Sequence, residues 1–223
     1  KAFFFACLNG AGYYHADGPC KEPSDIAARA SGGYQLSMFP TAPLMHGAAI
    51  WAALGAMLSG LTLVLDPVRS FDPVAIWERV EREGAQMIQI VGDAMAFPLR
   101  DALRDNPGRW KLDHVVNFGS GGAVFSESVK ADLKRYLPNA MITDGMGSSE
   151  TGVSGMAIPS DEGMMRLPVN DVQTIVVDGR LGAVGESGFV ARSGNIPVGY
   201  FGDPVKSAET FQTIDGRLWS VSG

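Results

Sequence analysis

Residues 140–152 read Ala-Met-Ile-Thr-Asp-Gly-Met-Gly-Ser-Ser-Glu-Thr-Gly, and they hold the densest set of groups able to do chemistry. An apolar start suits a buried strand end. Gly145 and Gly147 then allow backbone N–H groups to approach a ligand with no Cβ in the way. Hydroxyls follow at Ser148 and Ser149, and a carboxylate at Glu150. Bare amides and a hydroxyl suit a phosphate oxygen, and a carboxylate beside them suits a phosphate-bound Mg²⁺. Taken alone, the same residues also suit a glycine-rich turn with a capping serine and a solvated glutamate. Two further loops offer comparable groups. Residues 43–47 bring an imidazole, His46, to a strand-to-helix boundary, and residues 119–126 bring Gly119-Ser-Gly-Gly122 and Ser126.

Spacing excludes several chemistries. A Walker A loop requires a Gly-Lys pair, which the chain lacks. Gly119-Ser-Gly121 begins a dinucleotide fingerprint, but Val124 occupies the place of its last glycine. Gly147-Ser-Ser149-Glu-Thr151 misses the hydrolase nucleophile elbow at its final residue, which leaves acyl hydrolysis on Ser149 a weak alternative. No His/Cys/Asp/Glu cluster shows metal-ligand spacing. With a net charge of −6 there is no basic footprint for nucleic acid. Cys7 and Cys20 lie at no metal spacing and read as reduced cytosolic thiols.

The elements that must hold these loops alternate. Residues 2–8 read as helix or buried strand, and Ser24 as the cap of a short helix to Ala30. Residues 35–39 form a strand that Pro40 and Pro43 stop. Residues 41–65 carry no charged group except His46, yet Gly47, Gly55 and Gly60 interrupt them and no Lys or Arg flanks them closely. A buried helix of about 12 residues followed by strand 61–65 therefore fits better than a membrane span. Asp72-Pro73 starts the next helix, Ile76, Trp77 and Val80 give it an apolar face, and Gly84 ends it. A strand at 86–91 and a helix at 93–105 follow, with Pro98 kinking that helix or delaying its start. Strand 114–118 is broken at Gly119, and a helix capped by Ser126 carries Val129, Leu133 and Leu137 on one face. This order predicts an α/β fold, a mostly parallel sheet with helices on both faces. Beyond about residue 160, strands at 172–177, 187–191 and 217–221, punctuated by Asp178-Gly179, Asp203-Pro204 and Asp215-Gly216, predict a small antiparallel β-barrel-like subdomain. The expected division is 1–160 and 161–223.

Taken together and in order, these stretches resemble the adenylate-forming (AMP-binding) superfamily, in its acyl-CoA synthetase branch. Pro43-Leu-Met-His46-Gly47 is similar to that family's Pro-Leu-Phe-His element. Ser120-Gly-Gly-Ala123-Val-Phe-Ser126 is similar to its Gly-Gly-Ala-Pro-Leu-Ser loop, and Asp144-Gly-Met-Gly147-Ser-Ser149-Glu150 to its Gln-Gly-Tyr-Gly-Met-Thr-Glu loop. Gly185-Glu-Ser-Gly188, Gly199-Tyr200 with Asp203-Pro204, and the run 215–223 resemble its downstream motifs.

The resemblance implies a role for each matching residue. Gly121, Gly122 and Ala123 would line the adenine and acyl pocket, and Asp144 and Gly145 would meet the adenine edge. Met146 would replace the usual stacking aromatic with a thioether, beside Gly147. Ser149 would bond a phosphate, Glu150 would hold Mg²⁺, and His46 would orient the substrate carboxylate or gate its pocket. Ile50, Trp51, Gly152 and Val153 would give that pocket an apolar or small texture. The implied reaction joins a hydrophobic carboxylic acid to AMP from ATP, and then to coenzyme A. Its alternatives are an adenylation domain loading a carrier protein and a non-catalytic nucleotide-binding module. The resemblance also implies a phosphate loop before Lys1, and a ribose-binding Asp and a mobile domain with a catalytic Lys after Gly223. On that reading the chain is an internal fragment of a cytoplasmic enzyme, with a possible homo-oligomeric state, no nucleic-acid partner and no transmembrane segment.

Overall fold

The computed structural model describes residues 7, 20–31, 36–67, 70–156 and 170–222. The opening run at 2–8, except Cys7, and the expected 160/161 division lie outside them. The chain forms two compact units, one of Cys7–Gly145 and one that takes up the chain from Met146.

In the first unit, five parallel strands stand in the order β2-β1-β3-β4-β5. They are β1 (Ser37–Pro40), β2 (Thr62–Leu63), β3 (Met87–Ile90), β4 (Asn117–Gly121) and β5 (Met141–Ser148). All their neighbour pairings are parallel. The helices are α1 (Pro23–Ser31), α2 (Gly47–Leu58), α3 (Pro73–Glu83), α4 (Gly92–Asp105) and α5 (Glu127–Tyr136). Alternation along the strands splits them between two layers. Phe39, Ile88, Ile90 and Phe118 pack with Trp77, Leu99, Val129 and Leu133 of α3, α4 and α5. Met38 and Met87, on the opposite face, pack with Ala56 of α2. Helices thus cover both faces of the sheet, as expected. Trp77 is fully buried, and its Nε1 donates to the Leu99 carbonyl at 2.9 Å, so its large apolar burial leaves no orphaned donor.

Local chemistry sets the boundaries. Asp72 Oδ1 accepts from the N–H groups of Val74 and Ala75, Pro73 opens α3, and Gly84 closes it at φ 62°. The expected apolar helix at 48–58 is α2, twelve residues long, and no described helix is long and apolar enough to cross a membrane.

Four expectations need correction. Helix α1 begins at Pro23, so Ser24 is not its cap. Pro98 sits inside α4 and does not delay its start. Strand β4 begins at Asn117 and runs through Gly119 to Gly121, so the glycines do not break it. Strand β5 likewise continues to Ser148, with Gly145 paired opposite Gly121.

In the second unit, β6 (Gly152–Met156) follows the turn out of β5, and five strands form an antiparallel sheet in the order β10-β11-β9-β7-β8. These are β7 (Gln173–Val177), β8 (Arg180–Leu181), β9 (Phe189–Ser193), β10 (Phe211–Ile214) and β11 (Arg217–Ser222). Asp178-Gly179 and Asp215-Gly216 both take positive φ values, so each closes a two-residue hairpin of the primed type. Asp203-Pro204 instead starts a short helix, α6 (Pro204–Thr210), with the Asp203 side chain accepting from Lys206 N–H. That is the Asp72-Pro73 signature used again.

The Gly185-Glu-Ser-Gly188 motif has a structural task here. Glu186 takes both outer nitrogens of Arg180, at 2.7 and 2.5 Å, and the Ala183 N–H at 2.7 Å, which closes the loop between β8 and β9. The Arg180 fork holds the Glu186 carboxyl down to about 2. Because the folded value is depressed below the ordinary 4.5, the clamp's contribution is full above pH 4.5 and fades as pH falls toward 2. Thermal unfolding of wild type and Glu186→Gln should therefore differ at pH 7, with the gap narrowing between pH 4.5 and 3; a gap independent of pH would contradict the clamp. A Cβ on Gly188 would stand 2.4 Å from the Val176 carbonyl oxygen. Gly188→Ala should cost roughly 1–3 kcal/mol in urea unfolding, the usual range for forced overpacking.

Candidate functional site

The three loops singled out by residue type leave the carboxyl ends of β1, β4 and β5, the edge at which open parallel sheets bind ligands. In the first unit, His46 is the N-cap of α2. Its Nδ1 accepts from the Ala48 N–H at 3.3 Å, which places the proton of the neutral ring on Nε2, and the side chain is exposed. Gly122, at φ +87°, stands against this ring: a Cβ there would lie 3.2 Å from His46 Cε1. The structure therefore brings the β1 and β4 loops together at an imidazole edge. Ile50 and Trp51 are half-buried near the start of α2, where Ile50 N–H donates to the His46 carbonyl.

The Gly121-Gly122-Ala123 loop is anchored from beneath. Ser120 Oγ, buried, accepts from Gly92 N–H at 2.8 Å. Asp93 N–H donates to the Val124 carbonyl, and Asp93 Oδ1 accepts from Ser126 N–H, each at 2.8 Å. With Ser120 and Asp93 holding its two ends, the loop exposes Gly122 and Ala123.

Asp144 lies on the face of β5 that α3, α4 and α5 cover, opposite Ser120. It is 6% exposed, and its Oδ2 pairs with Lys130 Nζ of α5 at 2.9 Å. The same ammonium reaches Glu127 and stands 5.2 Å from the Phe125 ring centroid. Burial pushes the Lys130 ammonium down, but the hydrogen bonds it donates to Glu127 and Asp144 outweigh this and hold it above its ordinary value. On the other face of the sheet, Asn117 Nδ2 donates to Thr143 Oγ1 at 3.2 Å, and a Cβ on Gly119 would lie 2.9 Å from that oxygen and 3.0 Å from Gln89 Oε1. Gln89, Asn117 and Thr143 make a polar strip that the sequence did not single out, because each belongs to a different strand.

In the second unit, Met146 and Gly147 complete β5 and the chain reverses through residues 148–151 into β6. A Cβ on Gly147 would sit 2.4 Å from the Gly152 carbonyl oxygen, so the two strands meet backbone to backbone. The two serines divide the work. Ser148 Oγ accepts from Glu150 N–H at 3.2 Å and from Thr151 N–H at 3.1 Å, while Ser148 N–H donates to Thr151 Oγ1 at 3.0 Å. Buried Thr151 Oγ1 also takes the Ser154 hydroxyl at 3.4 Å. Ser148 and Thr151 therefore build the turn, and Ser149 is exposed at its tip.

Glu150 is half-buried next to Ser149, and its Oε1 accepts from the Tyr200 hydroxyl at 2.6 Å. Burial would raise its carboxyl. Hydrogen bonds from Tyr200, its own backbone N–H and Ser148, with the Lys206 charge, hold it below the ordinary carboxylate range. The Glu150 hydrogen bond pushes the Tyr200 phenol up, so it stays a donor. Sequence reasoning missed this pair, because the partners are fifty positions apart. The only signal was the Gly199-Tyr200 motif, to which no task was attached.

Among the described residues, no three His, Cys, Asp or Glu side chains gather into a metal cage. One carboxylate flanked by hydroxyls fits Mg²⁺, which binds through one or two carboxylates together with substrate phosphates and water.

Comparison with known proteins follows the same lines. The sequence profile of the AMP-binding enzyme family matches residues 20–200. A medium/long-chain-fatty-acid–CoA/3-oxocholest-4-en-26-oate–CoA ligase of Mycobacterium marinum is 38% identical over 212 residues, 91% of this chain and 38% of that protein. A linear gramicidin synthase of Brevibacillus parabrevis is 26% identical over 162 residues, 69% of this chain and 3% of that protein. Among solved structures, a long-chain-fatty-acid-CoA ligase of Archaeoglobus fulgidus superposes with a TM-score of 0.69 at 17% identity, over 89% of this chain and 44% of that one, a likeness of fold. The chain thus spans 38% of the length of the mycobacterial ligase it matches. With its profile matched over most of its length and its motifs on the carboxyl edge of a parallel sheet, the chain belongs to the AMP-binding enzyme family.

Proposed function

We propose that the whole protein is an AMP-forming acid–thiol ligase. It activates a hydrophobic carboxylic acid with ATP and passes the acyl group to coenzyme A. The observation that carries this reading is the residue 148–151 turn, which builds itself from Ser148 and Thr151. That leaves a hydroxyl and an ionised carboxylate, Ser149 and Glu150, for a ligand. The similarity to a CoA ligase named for medium- and long-chain fatty acids and a steroid acid supports the substrate class and the thiol.

In the proposed reaction a substrate carboxylate oxygen attacks the α-phosphorus of ATP. The bond to the pyrophosphate oxygen breaks and acyl-AMP forms. The thiol of coenzyme A then gives its proton to solvent and its sulfur attacks the acyl carbon; the bond from that carbon to the phosphate oxygen breaks, and AMP leaves. Ser149 Oγ donates to a phosphate oxygen throughout. Glu150 would hold Mg²⁺, which would supply neutralisation of the phosphate charge. Asp144, fixed by Lys130, offers an acceptor toward the adenine amino group, with Gly145 and Met146 along the base. Gly121, Gly122 and Ala123 leave the β4 edge low enough for the nucleotide and acyl group to approach. His46 presents its Nε2–H to the substrate carboxylate. Ile50 and Trp51 would contact the acyl group. Little covalent work falls to the protein; orientation and charge placement do most of it.

A second reading, an adenylation domain that loads a carrier protein, draws on the likeness to a gramicidin synthase. Release of the acyl group to free coenzyme A separates the two. The central test is exchange of labelled pyrophosphate into ATP by the whole protein, dependent on a hydrophobic acid. Glu150→Gln should cut this exchange by roughly 10²-fold and leave the unfolding midpoint nearly unchanged, because a turn carboxylate contributes little packing. Parallel losses of stability and exchange would make Glu150 a structural residue, and no exchange with any acid would end the ligase reading.

A further inference from the structure

The Gly199-Tyr200 and Asp203-Pro204 stretch resembles the family pattern, yet the proposed reaction gives it no task. Its contacts converge on one side chain. Tyr200 N–H donates to Ser207 Oγ at 2.7 Å, and that hydroxyl donates to the Asp203 carbonyl at 2.6 Å, so the first turn of α6 grips the Tyr200 backbone. Asp203 in turn caps α6 through Lys206 N–H. The ring packs against Phe211 at 5.8 Å between centroids and lies under the Lys206 ammonium, 4.6 Å from its centroid. Backbone and ring are thus both held, and the hydroxyl ends 2.6 Å from Glu150 Oε1. That distance is in the range of a charge-assisted O–H···O⁻ bond.

We infer that Tyr200 is a positioning residue for Glu150: its phenol fixes the carboxylate by one oxygen and so pre-forms the divalent-cation site of the Ser149–Glu150 turn. This rests on the reading of Glu150 as the metal carboxylate. The choice of a phenol follows from its chemistry. A neutral donor orients a carboxylate without cancelling its charge, whereas an ammonium in the same place would compete with the cation. Lys206 is arranged to match, over the ring of Tyr200 and in no direct ion pair with Glu150 among the described contacts. A free glutamate must give up rotamer freedom when it meets a cation; one already bonded to Tyr200 has given it up in advance.

The test uses the whole protein and reads the metal directly. Free Mn²⁺ is followed by electron paramagnetic resonance as it binds in the presence of a non-hydrolysable ATP analogue and no acid. Tyr200→Phe keeps the ring and removes only the hydroxyl. It should weaken Mn²⁺ binding by roughly tenfold, as loss of an outer partner of a metal ligand does. In pyrophosphate exchange it should raise the Mg²⁺ concentration for half-maximal rate by a similar factor, leave the KM for the acid unchanged, and recover at excess Mg²⁺. Binding as tight as wild type, or tighter, would overturn the inference, as would a loss of exchange that Mg²⁺ does not restore. If Tyr200→Phe does not fold, Ser207→Ala decides, with a smaller shift in the same direction expected and none overturning it. Glu150→Gln run in parallel separates the two levels. If it leaves Mn²⁺ binding intact, the metal reading of Glu150 itself falls. If it weakens binding while Tyr200→Phe does not, only the role of Tyr200 falls.

Discussion

The chemistry proposed for this chain depends on one close contact, the backbone-to-backbone approach of Gly147 and Gly152. With only 2.4 Å between the Gly152 carbonyl oxygen and the place a Cβ would occupy, no other residue fits at Gly147 without moving the strand. That approach brings β5 and β6 together closely enough for Ser148 and Thr151 to satisfy the turn's own amides. Backbone donors inside a tight reversal must find partners. Here two hydroxyls from within the turn supply them, and a third hydroxyl and a carboxylate remain at the surface. The glycine therefore does less to bare amides for a ligand than to let the hairpin close, and the exposed tip is the consequence.

The two carboxylates of the motif, Asp144 and Glu150, lie six residues apart and are handled in opposite ways. Asp144 is buried on the α5 side of the sheet, where an unpaired charge would be costly, and the Lys130 ammonium meets it at 2.9 Å. Its charge is answered within the fold, and what it can still offer is a fixed acceptor. Glu150 is half-buried and meets a phenol, which orients but does not neutralise. Its charge is still available. A base edge calls for hydrogen-bond geometry and a phosphate-bound cation calls for charge, and each carboxylate has the partner that fits its proposed task.

Much of this was legible in the sequence. Asp72-Pro73 and Gly84 marked α3 because a capping carboxylate, a preset φ and a left-handed stop act locally and need no tertiary context. Asp178-Gly179 and Asp215-Gly216 did the same for two hairpins. Gly119, Gly121 and Gly145 misled for the opposite reason. Their intrinsic tendency to break a strand was overridden by parallel pairing with neighbours far along the chain, the tertiary override to which strand propensity is prone. The partners of the site residues stayed hidden for the same physical reason. Lys130, Asp93 and Tyr200 act across α5, α4 and α6, and a sequence pattern carries spacing along the chain but not the side chain that folds back onto it.

Asp203-Pro204 shows how such a distant contact can still leave a local trace. The pair starts α6 as Asp72-Pro73 starts α3, but α6 is seven residues long and buries none of its side chains, so it adds little to the core. Its first turn has a different task. That turn puts Ser207 Oγ on the Tyr200 N–H, and with it fixes the one residue of the stretch that reaches Glu150. The spacing from Tyr200 to Asp203 and on to Ser207 is the distance needed for a capped turn to grip the residue just ahead of it. The motif is then a device for aiming a phenol, and its value to the protein lies in the carboxylate at the other end of the hydrogen bond.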